Sequence, residues 1–155
     1  MKKQTLLGTL LGLSLLSSAT VAHIEQSEPL QSLRQSYFAL LGMTFGPMGD
    51  MVKGKIEWDN ALFTTWANDL NHAAQFGVER GFAPGSDKGM TRAKPNIWSN
   101  MDDFQSKLDN FRAAAASLAD IAAEGDSTAS REQFVATGGT CKACHDEYKS
   151  KDYLY

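Results

Sequence analysis

Residues 97–122 read IWSNMDDFQSKLDNFRAAAASLADIA and contain the clearest apolar pattern in the chain. Apolar residues recur there at alternating intervals of four and three: Ile97, Met101, Phe104, Leu108, Phe111, Ala115, Leu118 and Ala122. This spacing places one apolar stripe along a helix that packs lengthwise on its neighbours. The segment therefore predicts a long helix, started by Pro95, inside a bundle of helices.

Three other segments have helical spacing, and the first of them runs from about Glu28 to Val52. The residues expected on their buried faces are Leu30, Leu33, Tyr37, Leu40 and Thr44; Trp58, Leu62, Trp66, Leu70 and Ala73; and Phe134, Cys141, Cys144 and Tyr148. Pro47 predicts a kink or an end of the first helix, and Gly54 and Gly125 predict turns. Residues 77–94 form a longer loop. The pattern predicts an all-α fold, an antiparallel four-helix bundle.

The last helical segment contains GGTCKACHDEYK, residues 138–149, with both cysteines of the chain. A pair at this spacing serves structural zinc, a redox dithiol, a disulfide or covalent haem. Zinc needs four ligands, and outside this motif the histidines are only His23 and His72. A redox dithiol belongs to a βαβ unit, which the pattern lacks. A disulfide closing so short a loop constrains little of the unfolded chain, and it leaves His145 unexplained.

Covalent haem accounts for both cysteines and the histidine. Each thiol adds across one vinyl group, and the next residue supplies an axial nitrogen to the iron. On a helix, Cys141 and Cys144 lie one turn apart, and His145 is four residues from Cys141. We therefore predict one haem c per chain on the C-terminal helix, attached through Cys141 and Cys144, with His145 as the metal ligand. No methionine follows His145, so any sixth ligand must come from upstream.

The N-terminus has the order of a secretory signal peptide. Met1-Lys2-Lys3 is basic, residues 6–16 are an apolar run of 11 residues, and small residues follow up to Ala22. Crossing a bilayer takes about 20 apolar residues, so this run is too short for a membrane anchor. We predict that residues 1–22 are cleaved, and that residues 23–155 form one periplasmic domain without a membrane partner.

The charge balance argues against a nucleic-acid partner. The chain has 15 basic and 18 acidic residues, and residues 1–22 hold two lysines and no acid, so the remainder carries a formal charge of −5. Nucleic-acid phosphates require a basic surface.

Three motifs resemble the cytochrome c′ family, the four-helix-bundle cytochromes that carry haem on the last helix. They are GGTCKACHDEYK (residues 138–149), LRQSYFALLGMTFGPM (residues 33–48) and TRAKPNIW (residues 91–98). The likeness covers the whole chain after residue 22. It implies a five-coordinate iron whose sixth position is open but crowded by a first-helix side chain. It also implies a homodimer formed through the first two helices.

The resemblance assigns roles to three residues of the first helix. It places Arg34 and Gln35 against the haem propionates and Phe38 over the open face of the iron. A guanidinium offers a planar fork to carboxylates. Without the resemblance, Arg34 would be read as a solvated side chain and Phe38 as bundle core.

Three further residues follow from the resemblance at other places in the chain. Ser86 and Asp87, in the long loop, approach the haem edge. Lys149 borders the proximal side, where the family often has arginine. Its other interpretation is a solvated lysine, which is favourable near a helix C-terminus in any case.

The expected function is gas binding rather than catalysis. Phe38 donates no hydrogen bond, so bound dioxygen, which gains negative charge, would lack stabilisation, whereas nitric oxide and carbon monoxide need less. No distal group is evident that could assist O–O cleavage in a peroxidase. The alternative is a low-spin electron-transfer cytochrome of the same fold, with a redox partner protein. Met43 lies about 140° round the helix from Phe38 and Met48 about 15 Å further along, so neither replaces Phe38.

Overall fold

The computed structural model describes residues 28–154, so the predicted signal peptide and the new terminus at His23 lie outside the described residues. The helices are α1 (Pro29–Val52), α2 (Asn60–Ala74), α3 (Asn96–Ser99), α4 (Met101–Ala123) and α5 (Ser127–Tyr148), with a 3₁₀ helix at Val78–Phe82. The β-type pairing within residues 28–154 is a single bridge between Ala93 and Lys149. None of the helices in this range has the length and hydropathy that crossing a membrane requires.

Local signals in the sequence account for the helix ends. Pro29 stands at the start of α1, where its missing N–H costs nothing. Asp59 caps α2, because its Oδ1 accepts the Leu62 N–H at 3.0 Å. Asp126 caps α5 by accepting the N–H groups of Thr128 and Ala129. Together these caps fix where the bundle helices begin.

The long helices run alternately up and down. The Thr64 hydroxyl of α2 donates to Ala122 O near the end of α4, and Thr137 of α5 donates to Ala114 O of α4. The order around the bundle is α1, α2, α4, α5. The predicted antiparallel four-helix bundle is confirmed.

α1 runs through Pro47 to Val52, which is the end that the helical spacing predicts. One detail of the helix predictions is wrong. The helix expected from Pro95 onward is divided at Asn100 into α3 and α4, so that Ile97 is buried from a separate turn.

The buried faces of α1 and α2 also differ from the expected stripes. Leu40 is 55% exposed, and Leu62 and Trp66 are not buried. The buried side chains of these helices are Arg34, Tyr37, Met48 and Met51 of α1, and Phe63, Ala67, Leu70 and Ala74 of α2. The core face of α2 is thus rotated from the predicted face, because α2 has apolar residues on two sides.

The core consists of two clusters along the bundle. The first core cluster is Met48, Met51, Phe63, Ala67, Leu70, Ala74, Phe111, Ala115, Leu118, Ala122 and Phe134. The second core cluster is Tyr37, Val78, Phe82, Ile97, Phe104, Leu108 and Tyr148. Leu41 packs against both clusters. The second cluster lies at the end of the bundle that holds the C-terminus of α5, and it forms the floor of the site described next.

Candidate functional site

The two cysteines stand where the two core clusters meet. Cys141 packs against the first core cluster and Cys144 against the second, and both are free and half-buried. Burial raises the pKa of both thiols, although a hydrogen bond from Thr140 opposes this at Cys141 and the charge of Lys107 at Cys144. The thiols are therefore protonated at neutral pH, one helical turn apart.

His145 follows on the exposed side of the last turn of α5. Its carbonyl accepts the Lys149 N–H at 3.1 Å, while its side chain is exposed. Partial burial lowers the pKa of the imidazole, and the positive charges of Lys149 and Arg92 lower it further. The neutral imidazole, which is the metal-binding form, is thereby favoured.

The register of α1 against α5 sets Phe38 level with His145. A β-carbon at Gly49 would lie 3.3 Å from Phe134, and one at Gly138 would lie 3.5 Å from Phe45. In both pairs the residue numbers add up to 183. Antiparallel helices with the same rise per residue keep that sum constant, and the residue that completes it for Phe38 is His145.

The aromatic side chain of Phe38 is exposed to solvent at the level of His145. It is 40% exposed, and its ring contacts Tyr37 edge to face with 5.1 Å between the centroids. The Tyr37 hydroxyl donates to Ala74 O at 3.4 Å, so it is engaged with α2. Phe38 is therefore not packed inside the core that the helices form with one another.

Arg34 is buried one turn before Phe38, contrary to its interpretation as a solvated arginine. Its side chain is 3% exposed, and Nη1 donates to Gly81 O at 2.5 Å and to Ser86 Oγ at 3.3 Å. Glycine at position 81 permits this approach, because a β-carbon there would lie 3.0 Å from Arg34 Cγ and would require that side chain to shift. The guanidinium also lies over Phe82 at 5.2 Å and Trp98 at 5.6 Å.

The Arg34 guanidinium retains an unused donor. Among the described residues, its Nη2 is buried without a hydrogen-bond partner. Burial lowers the pKa of Arg34, and the charges of Glu28 and Asp87 oppose that change without forming an ion pair. A buried cation with a free N–H is a site for a carboxylate.

The loop residues predicted for the site lie beside Arg34. Ser86 is buried, accepts the indole N–H of Trp98 at 3.3 Å and donates to Gly81 O at 3.3 Å. Asp87 is close enough for its charge to act on Arg34.

Two predicted residues have no such contacts. Gln35 is exposed on α1. Lys149 lies past the end of α5 in extended backbone, with φ −113° and ψ 125°. Its charge nevertheless acts on His145.

Trp98 and Arg92 belong to the site although sequence reasoning did not single them out. Both occur in the motif TRAKPNIW, which marked the segment but not the side chains. Their partners are distant in the chain, and no spacing rule connects them.

The residues present fit a haem c. Two thiols on one helix face can bind its vinyl groups, and a neutral imidazole can ligate iron. The unused Arg34 N–H suits a propionate, which the sequence-based assignment also expected there. Phe38, level with His145, leaves an apolar side chain for the opposite face.

Comparisons with known proteins agree with this chemistry. The family model described as Cytochrome C' matches residues 30–149. A protein named cytochrome c' from Halomonas halodenitrificans is 36% identical over 123 residues, covering 76% of this chain and 93% of that protein.

Solved structures are similar over most of the chain. Cytochrome c prime from Shewanella frigidimarina has a TM-score of 0.76 at 40% identity, covering 79% of this chain and 95% of that one. A nitric oxide complex of a mutant cytochrome c prime from Alcaligenes xylosoxidans has a TM-score of 0.73 at 33% identity, covering 81% of this chain and 96% of that one.

Proposed function

The chain belongs to the cytochrome c′ family, and on that premise we propose that it is a periplasmic gas-binding haem protein. Its iron is five-coordinate and high-spin, and it binds nitric oxide and carbon monoxide while discriminating against oxygen. The observation that carries the proposal is the exposed Phe38 at the level of His145.

The chain's own residues hold the haem c. Cys141 and Cys144 would hold it through thioethers, and His145 would ligate the iron. Arg34 would bind a propionate, with Ser86 and Asp87 at the haem edge. When bound, the haem supplies an iron with one open coordination position for a diatomic ligand.

Phe38 governs that position by its size and by its lack of a donor. An aromatic ring crowds an incoming ligand, and no N–H or O–H from it can stabilise negative charge on dioxygen. The nearest hydroxyl along α1, that of Tyr37, is bonded to Ala74 O and does not substitute. Nitric oxide and carbon monoxide depend less on such a donor, so they are favoured over oxygen. The same lack of an acid or base argues for ligand binding rather than catalysis.

Residues 1–22 direct export to the periplasm, where c-type haem is attached, and the protein then pairs as a homodimer through α1 and α2. Exposed apolar side chains support this interface: Leu40 and Met43 on α1, and Leu62 on α2. A face of this kind on two adjacent helices is suited to a second copy of the chain.

Electron transfer is the second candidate function, favoured by the exposure of His145. A redox partner could approach the haem edge there. A low-spin electron-transfer cytochrome requires the protein to supply the sixth ligand to the iron. Met43 is 71% exposed and Met48 is fully buried in the first core cluster, and the constant sum of 183 sets both away from the level of His145.

Replacing Phe38 by alanine tests the gating role. We expect Phe38→Ala to raise the carbon monoxide affinity of the ferrous protein, because the crowding ring is removed while the iron ligands are retained. Carbon monoxide affinity is measured by equilibrium titration, with the visible spectrum as the signal. For nitric oxide, the association rate is measured.

Val135→Ala is the matched control, because Val135 is an exposed apolar residue on α5, 65% accessible, before the cysteine motif. It should bind carbon monoxide as the wild type does. If Phe38→Ala also left the affinity unchanged, Phe38 would not be the gate.

A further inference from the structure

Arg92 joins the segment before α3 to the C-terminal tail. Its Nε donates to Ser150 O at 3.0 Å, and its Nη2 donates to Lys151 O. The backbone pairs in the same place, since the Ser150 N–H donates to Arg92 O at 2.8 Å. One side chain therefore binds two consecutive carbonyls of the tail, and the fork of a guanidinium fits this geometry.

The same segment donates hydrogen bonds to the last carbonyls of α5. The last carbonyls of a helix have no partner within it. Here the Lys94 N–H donates to Tyr148 O at 2.9 Å, and its Nζ donates to the carbonyls of Asp146 and Glu147 at 3.1 and 3.0 Å. Asn96 adds a bond from Nδ2 to the Glu147 carboxylate at 2.9 Å. Residues 92–96 thus hold the turn that begins at His145.

The charge of Arg92 is not compensated where it lies. Both of its acceptors are neutral carbonyls, and no carboxylate of residues 28–154 forms a salt bridge with it. The nearby Tyr153 ring, 5.9 Å from the guanidinium carbon, contributes no opposite charge. Arg92 is partly buried, so solvent screens its charge only in part. The tail that it binds leaves α5 where the Lys149 N–H donates to His145 O at 3.1 Å, so the guanidinium lies beside the last turn of α5, which carries His145.

We propose that Arg92 is a positioning residue of the proximal side, clamped by the tail so that its positive charge raises the reduction potential of the haem iron. The proposal rests on the haem site described above. Oxidation adds one positive charge at the iron, and a fixed cation nearby disfavours that state. Lys149, the cation that the family resemblance indicated, is then one of two cations on the proximal side.

The test compares three single substitutions in the haem-loaded protein. Arg92→Gln removes the charge, and Arg92→Lys keeps it while losing the fork. Arg80→Gln is the control, because Arg80 is exposed, donates to Gly77 O and lies over Phe76. Midpoint potentials are measured by spectroelectrochemistry. We expect a negative shift for Arg92→Gln, and potentials close to the wild type for Arg92→Lys and Arg80→Gln.

Hydrogen exchange separates the clamp from the charge. The amides of Ser150 and Leu154 bond to the carbonyls of Arg92 and Thr91, so both Arg92 variants should exchange them faster than the wild type. Faster exchange together with an unchanged potential in Arg92→Gln would overturn the proposal, as would an equal shift in Arg80→Gln. A low-spin iron in the wild type would contradict the gas-binding function, yet the Arg92 shift would remain measurable.

Discussion

Burial of the Arg34 guanidinium is unfavourable without an anionic partner and becomes favourable when an anionic ligand binds it. Removing a guanidinium from water without an anionic partner costs several kcal/mol. Arg34 recovers part of this cost through Gly81 O, Ser86 and two aromatic faces, and it leaves one N–H unused. In the proposed site a haem propionate would supply the missing charge, so the bound haem and this end of α1 would stabilise each other.

Tyr37 leads to a prediction about alkaline pH. Burial raises its pKa to about 12; the charge of Arg112 opposes this and that of Glu79 adds to it. An unfolded tyrosine has a pKa of about 10. Because the folded pKa is the higher one, the contribution to stability is complete below pH 10 and is lost as the pH rises towards 12. In that range the unfolding free energy should fall by about 1.4 kcal/mol per pH unit for this group.

Urea unfolding between pH 9 and 12 measures this slope. In Tyr37→Phe the unfolding free energy should fall less steeply with pH, by the contribution of one proton. The remaining slope comes from Tyr148, whose pKa is also raised by burial and by Asp103. If the slopes of the wild type and Tyr37→Phe were equal, ionisation of Tyr37 would not destabilise the folded protein.

Single residues also mark the limit of sequence reasoning. Cys141, Cys144 and His145 were predictable because one turn of helix brings them together. The burial of Arg34 was not, because its partners lie 47 and 52 residues away and charged residues are mostly exposed. Phe38 was placed by resemblance alone, and its open position depends on the register of α1 against α5.

At the scale of elements, α2 shows why helices were easier to predict than their orientation. The apolar spacing from Trp58 to Ala73 identified the helix, but the helix carries apolar residues on two faces. Phe63 and Ala67 pack inside, while Leu62 is exposed and Trp66 only partly covered. Which face is buried depends on the neighbouring helices, and periodicity does not contain that information.

The start of α5 provides a prediction for the haem-bearing helix. Asp126 accepts two backbone N–H groups, and Gly125 reverses the chain at φ 79°. Asp126→Ala leaves those donors without a side-chain partner, so we expect a loss of about 1 kcal/mol in unfolding free energy by urea titration.

Asp120→Ala is the control, because Asp120 is an exposed acid within α4 and caps no helix. Its effect should stay within about 0.5 kcal/mol. If the two substitutions cost the same, the cap does not stabilise α5.

At the scale of the whole molecule, α1 and α2 carry exposed apolar side chains, and the site lies at the end of α5. The proposed homodimer through these two helices would cover Leu40, Met43 and Leu62 and leave His145 accessible. The fold class, the haem helix and the family followed from the sequence. The site geometry did not, because it arises from the long loop packing on α1 through Gly81 and Ser86.

The dimer is tested by placing a charge on this face. Met43→Glu buries a carboxylate in the proposed interface, so sedimentation velocity should show a shift from dimer to monomer. Val135→Glu places the same charge on the exposed side of α5 and should leave the dimer intact. A dimer unaffected by Met43→Glu would place the interface elsewhere.

The electron paramagnetic resonance spectrum of the ferric wild-type protein, produced in a host that matures c-type cytochromes, tests the central claim most directly. The account predicts a high-spin signal, because in the proposed site His145 alone would ligate the iron and Phe38 would face the open position without binding the metal. A low-spin signal from an iron with a second protein ligand would contradict it.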